Sequence, residues 1–124
     1  MKTLIVDDSR MMRMVLKGIL MKEGHEIFEA ADGLEALEQL QQHGCCDLAL
    51  LDWNMPNMNG YDLLCAIRKE PVYDDMKLVM VTTEAEMDQM QKALSSGADD
   101  YMMKPFAKEV VIEKLAMLGL GGRT

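Results

Sequence analysis

Short apolar runs alternate along this chain with longer segments in which apolar residues recur every three or four positions. The runs fall at about 3–7, 26–30, 47–52, 77–82 and 100–104, and include Leu4-Ile5-Val6, Leu48-Ala49-Leu50-Leu51 and Leu78-Val79-Met80-Val81. Continuous apolar stretches of this length suit strands covered on both faces, as in a parallel sheet flanked by helices. The segments between them carry helical spacing, through Met12, Val15 and Ile19, then Leu34, Leu37 and Leu40, then Met87, Met90 and Leu94, and finally Val111, Leu115 and Leu118. Ser9 is placed to cap a helix over 10–23 that Gly24 ends, and Gly97 follows a helix over about 85–96. Strands alternating with helices of this length imply right-handed crossovers. The prediction is therefore an α/β fold: five strand-helix units, doubly wound into a three-layer sandwich around a parallel sheet. No linker interrupts the units, so residues 1–124 are expected to form one domain.

The residues that close the apolar runs are polar. Asp7 and Asp8 follow Val6, Asp52 follows Leu51, Thr82 and Thr83 follow Val81, and Lys104 follows Met103. In an open parallel sheet the ligand site lies beyond the carboxyl ends of the strands, so these side chains converge on one crevice. Taken singly, an Asp after a strand is more often a turn former or a cap. The coincidence at four strand ends is what carries the reading. Two carboxylates about 4 Å apart repel by roughly 4 kcal/mol at an effective dielectric of 20, so a cluster of them needs a proton or a hard cation. Mg²⁺ suits best, because it takes one or two protein carboxylates and leaves room for phosphate oxygens. One aspartate is then a candidate nucleophile toward a phosphoryl group. Lys104 and a threonine of the 82–83 pair are candidates to stabilise its oxygens.

Composition narrows the alternatives. With 124 residues, 49% of them apolar, the chain can build one modest core. Its net charge of -8 argues against a sequence-independent grip on nucleic acid or anionic lipid. No apolar run approaches the length of a membrane span, and a cytoplasmic protein without membrane insertion is expected. Cys45, Cys46 and Cys65 have no metal-ligand spacing and are expected to stay reduced. Asp52 to Gly60 superficially suggests a calcium loop, but the register that puts Gly60 sixth puts Met55 first and Ala66 twelfth. Phosphate-binding glycine motifs are absent from the sequence. His25 and His43 read as surface residues near helix ends, away from the convergent groups. Most of the 14 methionines read as core filler, while Met87 and Met90 share a helix face suited to docking a partner.

Together these residues resemble the receiver domains of two-component response regulators. The likeness rests on Asp7-Asp8, on Leu51-Asp52-Trp53-Asn54-Met55-Pro56-Asn57-Met58-Asn59-Gly60, on Val81-Thr82-Thr83-Glu84, and on Lys104-Pro105-Phe106, and it spans nearly the whole chain. The resemblance implies that Asp52 accepts phosphate from a histidine kinase or phosphotransfer protein. It also implies that Asp7, Asp8, Asp52 and the backbone carbonyl of Asn54 hold Mg²⁺, that Thr82 rather than Thr83 joins Lys104 on the phosphoryl oxygens, and that the Lys104-Pro105 bond is cis. The implied strand order is 2-1-3-4-5. Trp53, Asn54, Glu84 and Tyr101 bring the chain nearest to the single-domain chemotaxis regulators of that family. In receivers the positions of Asn54 and Glu84 tune phosphoryl lifetime. Tyr101, three residues before Lys104 and so on the opposite face of the strand, is a candidate to read out the switch. One departure stands out: receivers usually place Ala or Gly after the switch threonine, where this chain has Thr83. That hydroxyl either narrows access to Asp52 or caps the following helix.

The resulting expectation is a monomeric, phosphorylation-controlled switch. It would catalyse only its own phosphorylation and dephosphorylation, and present a surface around the fourth and fifth helices to a downstream protein. Two rivals remain at the level of sequence: a small phosphatase using the same aspartate, and an interaction domain indifferent to phosphate.

Overall fold

The computed structural model describes residues 1–120, apart from the side chain of Glu84, which lies outside the described residues together with residues 121–124. Each apolar run becomes a strand and each periodic segment a helix. The order is β1 (Lys2–Val6), α1 (Arg10–Lys22), β2 (Glu26–Ala30), α2 (Gly33–His43), β3 (Leu48–Asp52), α3 (Gly60–Arg68), β4 (Lys77–Thr82), α4 (Met90–Ser95), β5 (Asp100–Met103) and α5 (Lys108–Met117). A 3₁₀ turn over Pro71–Tyr73 precedes β4, and a longer one over Glu84–Gln89 leads into α4. The five strands pair in parallel in the order β2-β1-β3-β4-β5, the doubly wound arrangement the sequence implied.

β3 is buried along its whole length, as a central strand covered on both faces must be. One core, with Leu4, Val6, Leu51, Leu78 and Met80 from the sheet, packs under α2, α3 and α4. The other, with Ile5, Leu50, Val79 and Met102, packs under α1 and α5. Alternation along each strand splits its side chains between the two faces. The helices start where local chemistry satisfies their first N–H groups: Ser9, Asp32 and Asn59 each accept from the backbone N–H three residues on, at 3.2, 2.9 and 2.8 Å.

The predicted helix faces are rotated in places. Leu16 and Leu20 are the buried residues of α1, so the inward stripe is centred one position beyond the expected one and Val15 is exposed. In α2, Ala36 and Leu40 point inward, and Leu34 is 50% exposed. The fourth helix is the largest departure, because its first half is 3₁₀ rather than α. A 3₁₀ segment turns about 120° per residue rather than 100°, so an α-helical spacing counted through it misassigns the face. Met90 and Ala93 set the inward face of α4. Met90 is only 4% exposed, in the core with Met80. The expectation that Met90 serves a docking surface is therefore corrected: its side chain is packing. Leu94, expected inside, is exposed.

His25 is a second correction. It is 4% exposed, with Nδ1 2.6 Å from the Thr3 hydroxyl and Nε2 3.0 Å from the Leu120 carbonyl. Since a carbonyl only accepts, Nε2 carries the hydrogen and Thr3 donates to Nδ1 in the neutral ring. The residue fastens the end of α5 to the start of β1.

Candidate functional site

Three strand ends and one loop supply the site. Parallel pairing brings Val6 beside Leu51, and Asp52 beside Val81, so the residues after β1 and at the end of β3 share one edge of the sheet. Asp7, Asp8 and Asp52 each offer a carboxylate oxygen within 4.8 Å of the others. Asp7 and Asp52 are buried, at 2% and 7% exposure, while Asp8 faces solvent. Lys104, just past β5, reaches across the sheet: Nζ lies 3.0 Å from Asp52 Oδ1 and 3.1 Å from Asp7 Oδ2. The cis Lys104-Pro105 peptide is present as implied.

The supporting contacts fix these groups in place. Asp7 Oδ1 accepts the Ser9 N–H at 2.8 Å, and its backbone carbonyl accepts from Arg13 at 2.6 Å. Arg13 in turn pairs with Glu29 on β2 at 3.1 Å. Below Asp52 the fit is tight. A side chain at Gly60 would place its Cβ 2.2 Å from the carbonyl oxygen of Asp52, and the Gly60 N–H donates to the Trp53 carbonyl at 2.9 Å. Only glycine lets α3 begin so close to the strand that carries Asp52.

Charge is unbalanced here. Burial pushes the Asp52 carboxyl up to about 6, the Lys104 hydrogen bond pulls against that rise, and the negative charges of Asp7 and Asp8 add to it. Lys104 is raised above the ordinary lysine value. Burial works against its ammonium, but the hydrogen bond and charge of Asp52, then the charge of Asp7, outweigh that penalty. One ammonium therefore faces three carboxylates. The donor set fits a hard divalent cation, which binds oxygen ligands and tolerates an open, partly solvated face such as the one Asp8 provides. Asn54 is exposed in the loop that follows β3, close in sequence to that face.

Thr82 ends β4 without solvent exposure, and its hydroxyl donates to the Thr83 carbonyl at 3.1 Å rather than to the carboxylates. Thr83 precedes the 3₁₀ turn, and the Glu86 carboxylate accepts its N–H at 3.3 Å and its hydroxyl at 2.5 Å. Thr83 thus takes the N-cap position of that turn, with its hydroxyl donating to Glu86 rather than accepting from a backbone N–H. Sequence reading passed over Glu86, although Thr-x-x-Glu at 83–86 is the capping-box pattern that would have found it. Tyr101 is partly buried on β5 against the α4-side core, with Lys114 Nζ 5.3 Å above its ring. Met87 is half-buried in the 3₁₀ turn. The lifetime-tuning role expected of Glu84 rests on a side chain outside the described residues.

Comparison with known proteins places this geometry. Residues 3–116 match the response regulator receiver domain. The chain belongs to that family. It is 42% identical over 123 residues to a chemotaxis protein CheY homolog of Campylobacter jejuni, covering 98% of this chain and 95% of the relative. It is 39% identical to chemotaxis protein CheY1 of Helicobacter pylori, covering 95% and 96%. Among solved structures, chemotaxis protein CheY4 of Vibrio cholerae superposes with a TM-score of 0.87 at 34% identity, covering 94% of this chain and 97% of that one. Within the family the chain is CheY-like.

Proposed function

We propose that this protein is a phosphoacceptor switch in a two-component phosphorelay, with Asp52 as the nucleophile. The observation that supports this most directly is the convergence of Asp7, Asp8, Asp52 and Lys104, drawn from three strands, on one sheltered edge of a CheY-like sheet. A carboxylate oxygen of Asp52 attacks the phosphorus of a phosphohistidine; the O–P bond forms as the P–N bond breaks, and the donor imidazole leaves with the electron pair. Asp7, Asp8, Asp52 and the Asn54 backbone carbonyl would hold Mg²⁺, which when bound neutralises charge on the phosphoryl oxygens. Lys104 Nζ stands within hydrogen-bond reach of Asp52, placed to donate to a phosphoryl oxygen attached there. Thr82 supplies a hydroxyl to another oxygen once it turns from the Thr83 carbonyl.

Adding about -1.5 to -2 charge at Asp52 draws Thr82 and Lys104 inward. That movement biases the surface formed by α4, β5 and α5 toward a downstream protein. On that surface we place Tyr101 and Met87, with Met90 as core support. Asn54, Thr83 and Glu84 are proposed to tune phosphoryl lifetime. The partners are a sensor histidine kinase or phosphotransfer protein and a protein target, and the working unit is a monomeric receiver over residues 1–124 in the cytoplasm. Among the described residues no helix is long and apolar enough to cross a membrane. The test is Asp52→Asn, whose amide cannot act as the nucleophile. Labelling by acetyl phosphate or a phosphorylated kinase should disappear, and labelling at wild-type stoichiometry would reject the assignment.

A further inference from the structure

We infer that Glu86 is a positioning residue that sets how readily the Thr82 hydroxyl reaches a phosphoryl group on Asp52, an inference that rests on the phosphoacceptor reading above. Glu86 is buried, and a buried carboxylate must be satisfied by hydrogen bonds. It takes the Thr83 N–H on Oε1 and the Thr83 hydroxyl on Oε2. Its own N–H donates to the Thr83 carbonyl at 3.1 Å. Three bonds from one residue thus fix the Thr83 peptide in space.

That fixed carbonyl is the acceptor that holds the Thr82 hydroxyl in its present orientation, also at 3.1 Å. On the strand side, the Lys104 N–H holds the Thr82 carbonyl at 2.6 Å. With its main chain pinned on both sides, Thr82 can turn toward Asp52 by rotation about its Cα–Cβ bond. Glu86 therefore does two things. It keeps a preformed acceptor beside Thr82, favouring the outward hydroxyl, and it keeps that acceptor satisfied by its own N–H when the hydroxyl leaves. Its carboxylate also ties the Thr83 hydroxyl to the turn, which answers the departure at position 83. Loosening the brace shifts the population of Thr82 toward the inward rotamer, and a ligand that needs that rotamer gains the difference.

The experiment measures Mg²⁺-dependent beryllofluoride affinity through Trp53 fluorescence, and the rate of phosphorylation against acetyl phosphate concentration. Wild type is compared with Glu86→Ala and Glu86→Gln, each with and without Thr82→Ala, and melting curves verify folding. Glu86→Ala should bind the analogue severalfold more tightly and raise the maximal rate severalfold, and Thr82→Ala should cancel both gains. Glu86→Gln keeps an oxygen acceptor for Thr83 and should lie near wild type. If Glu86→Ala does not fold, Thr83→Val, which removes the hydroxyl bond alone, should shift affinity in the same direction. The inference is overturned if Gln matches Ala, since the effect is then one of charge, or if the gain survives Thr82→Ala. It is also overturned if only the melting temperature moves. Asp52→Asn separates this from the parent reading: wild-type analogue binding in that variant would remove the phosphoacceptor itself.

Discussion

At the amino end of the sheet Arg68 spreads its guanidinium over the carbonyls of Gly97, Tyr73 and Met76 and the carboxylate of Asp99, at 2.9 to 3.1 Å. Asp99 also accepts the Leu78 N–H at 2.8 Å, which ties the start of β4 to the start of β5. His25 closes the same end between Thr3 and Leu120. At the carboxyl end Lys104 faces Asp7 and Asp52 with Asp8 beside them, and negative charge is left over. Both ends use charged side chains to join strands, yet only one is balanced. Paired and saturated groups hold a structure; a surplus of one sign, sheltered from water, holds a place for a ligand of the other.

That contrast can be broken experimentally from either side. The strongest structural effect should come from Arg68→Met, which leaves Asp99 and several carbonyls without their cation. The loss should be roughly 2–4 kcal/mol, toward the low side of the cost of breaking a buried charged pair because Asp99 keeps some solvent. Urea unfolding measures it, and a change below about 0.5 kcal/mol, the scale of an ordinary surface substitution, would show that this end is not a clamp.

At the other end the sign reverses. Because Asp52 is pushed up from 3.8 to about 6, the folded state holds its proton more tightly than the unfolded chain does. The cost of ionising it is fully present above about 6 and vanishes below 3.8. Asp52→Asn should therefore stabilise the protein near neutral pH, by up to about 3 kcal/mol at 1.36 kcal/mol per pH unit. The advantage should close as the pH is lowered toward 4. Millimolar Mg²⁺ should shrink it as well, since a cation that binds only the folded cluster stabilises the wild type. Melting curves across pH test both statements, and a variant no more stable than wild type would show that ionising Asp52 carries no cost in the folded site. A loss should also come from His25→Phe, which leaves the Thr3 hydroxyl and the Leu120 carbonyl without a partner at a cost of about 1–3 kcal/mol for each. Phosphorylation should be unaffected, because His25 lies at the opposite end of the sheet from the carboxylate cluster.

The carboxyl end was legible in the sequence because its residues sit at the closing positions of apolar runs, where a parallel sheet collects them whatever the helices do. Asp7, Asp52 and Lys104 each carry that local signal, and the structure brings them together. The amino end was not legible. His25 follows Gly24 and reads locally as a loop residue, while its burial depends on Leu120, 95 positions away. Arg68 likewise reads as the basic last turn of a helix until the Gly97–Asp99 loop folds over it. Leu94 was misplaced for a different reason: hydrophobic spacing gives a face only if the helix type is known, and the 3₁₀ turn before α4 shifts the count. Long-range partners and local winding are the two things that a periodic pattern does not encode.

The ammonium of Lys104 meets Asp7 across 97 positions of sequence. During synthesis the aspartate pair therefore leaves the ribosome roughly 5–20 s before the lysine, at ordinary translation rates. A nascent or truncated chain that ends before β5 already carries the acidic residues and lacks the cation that would complete the constellation. The acidic cluster and its cation are thus together only once β5, the last of the five strands, and Lys104 after it have been made.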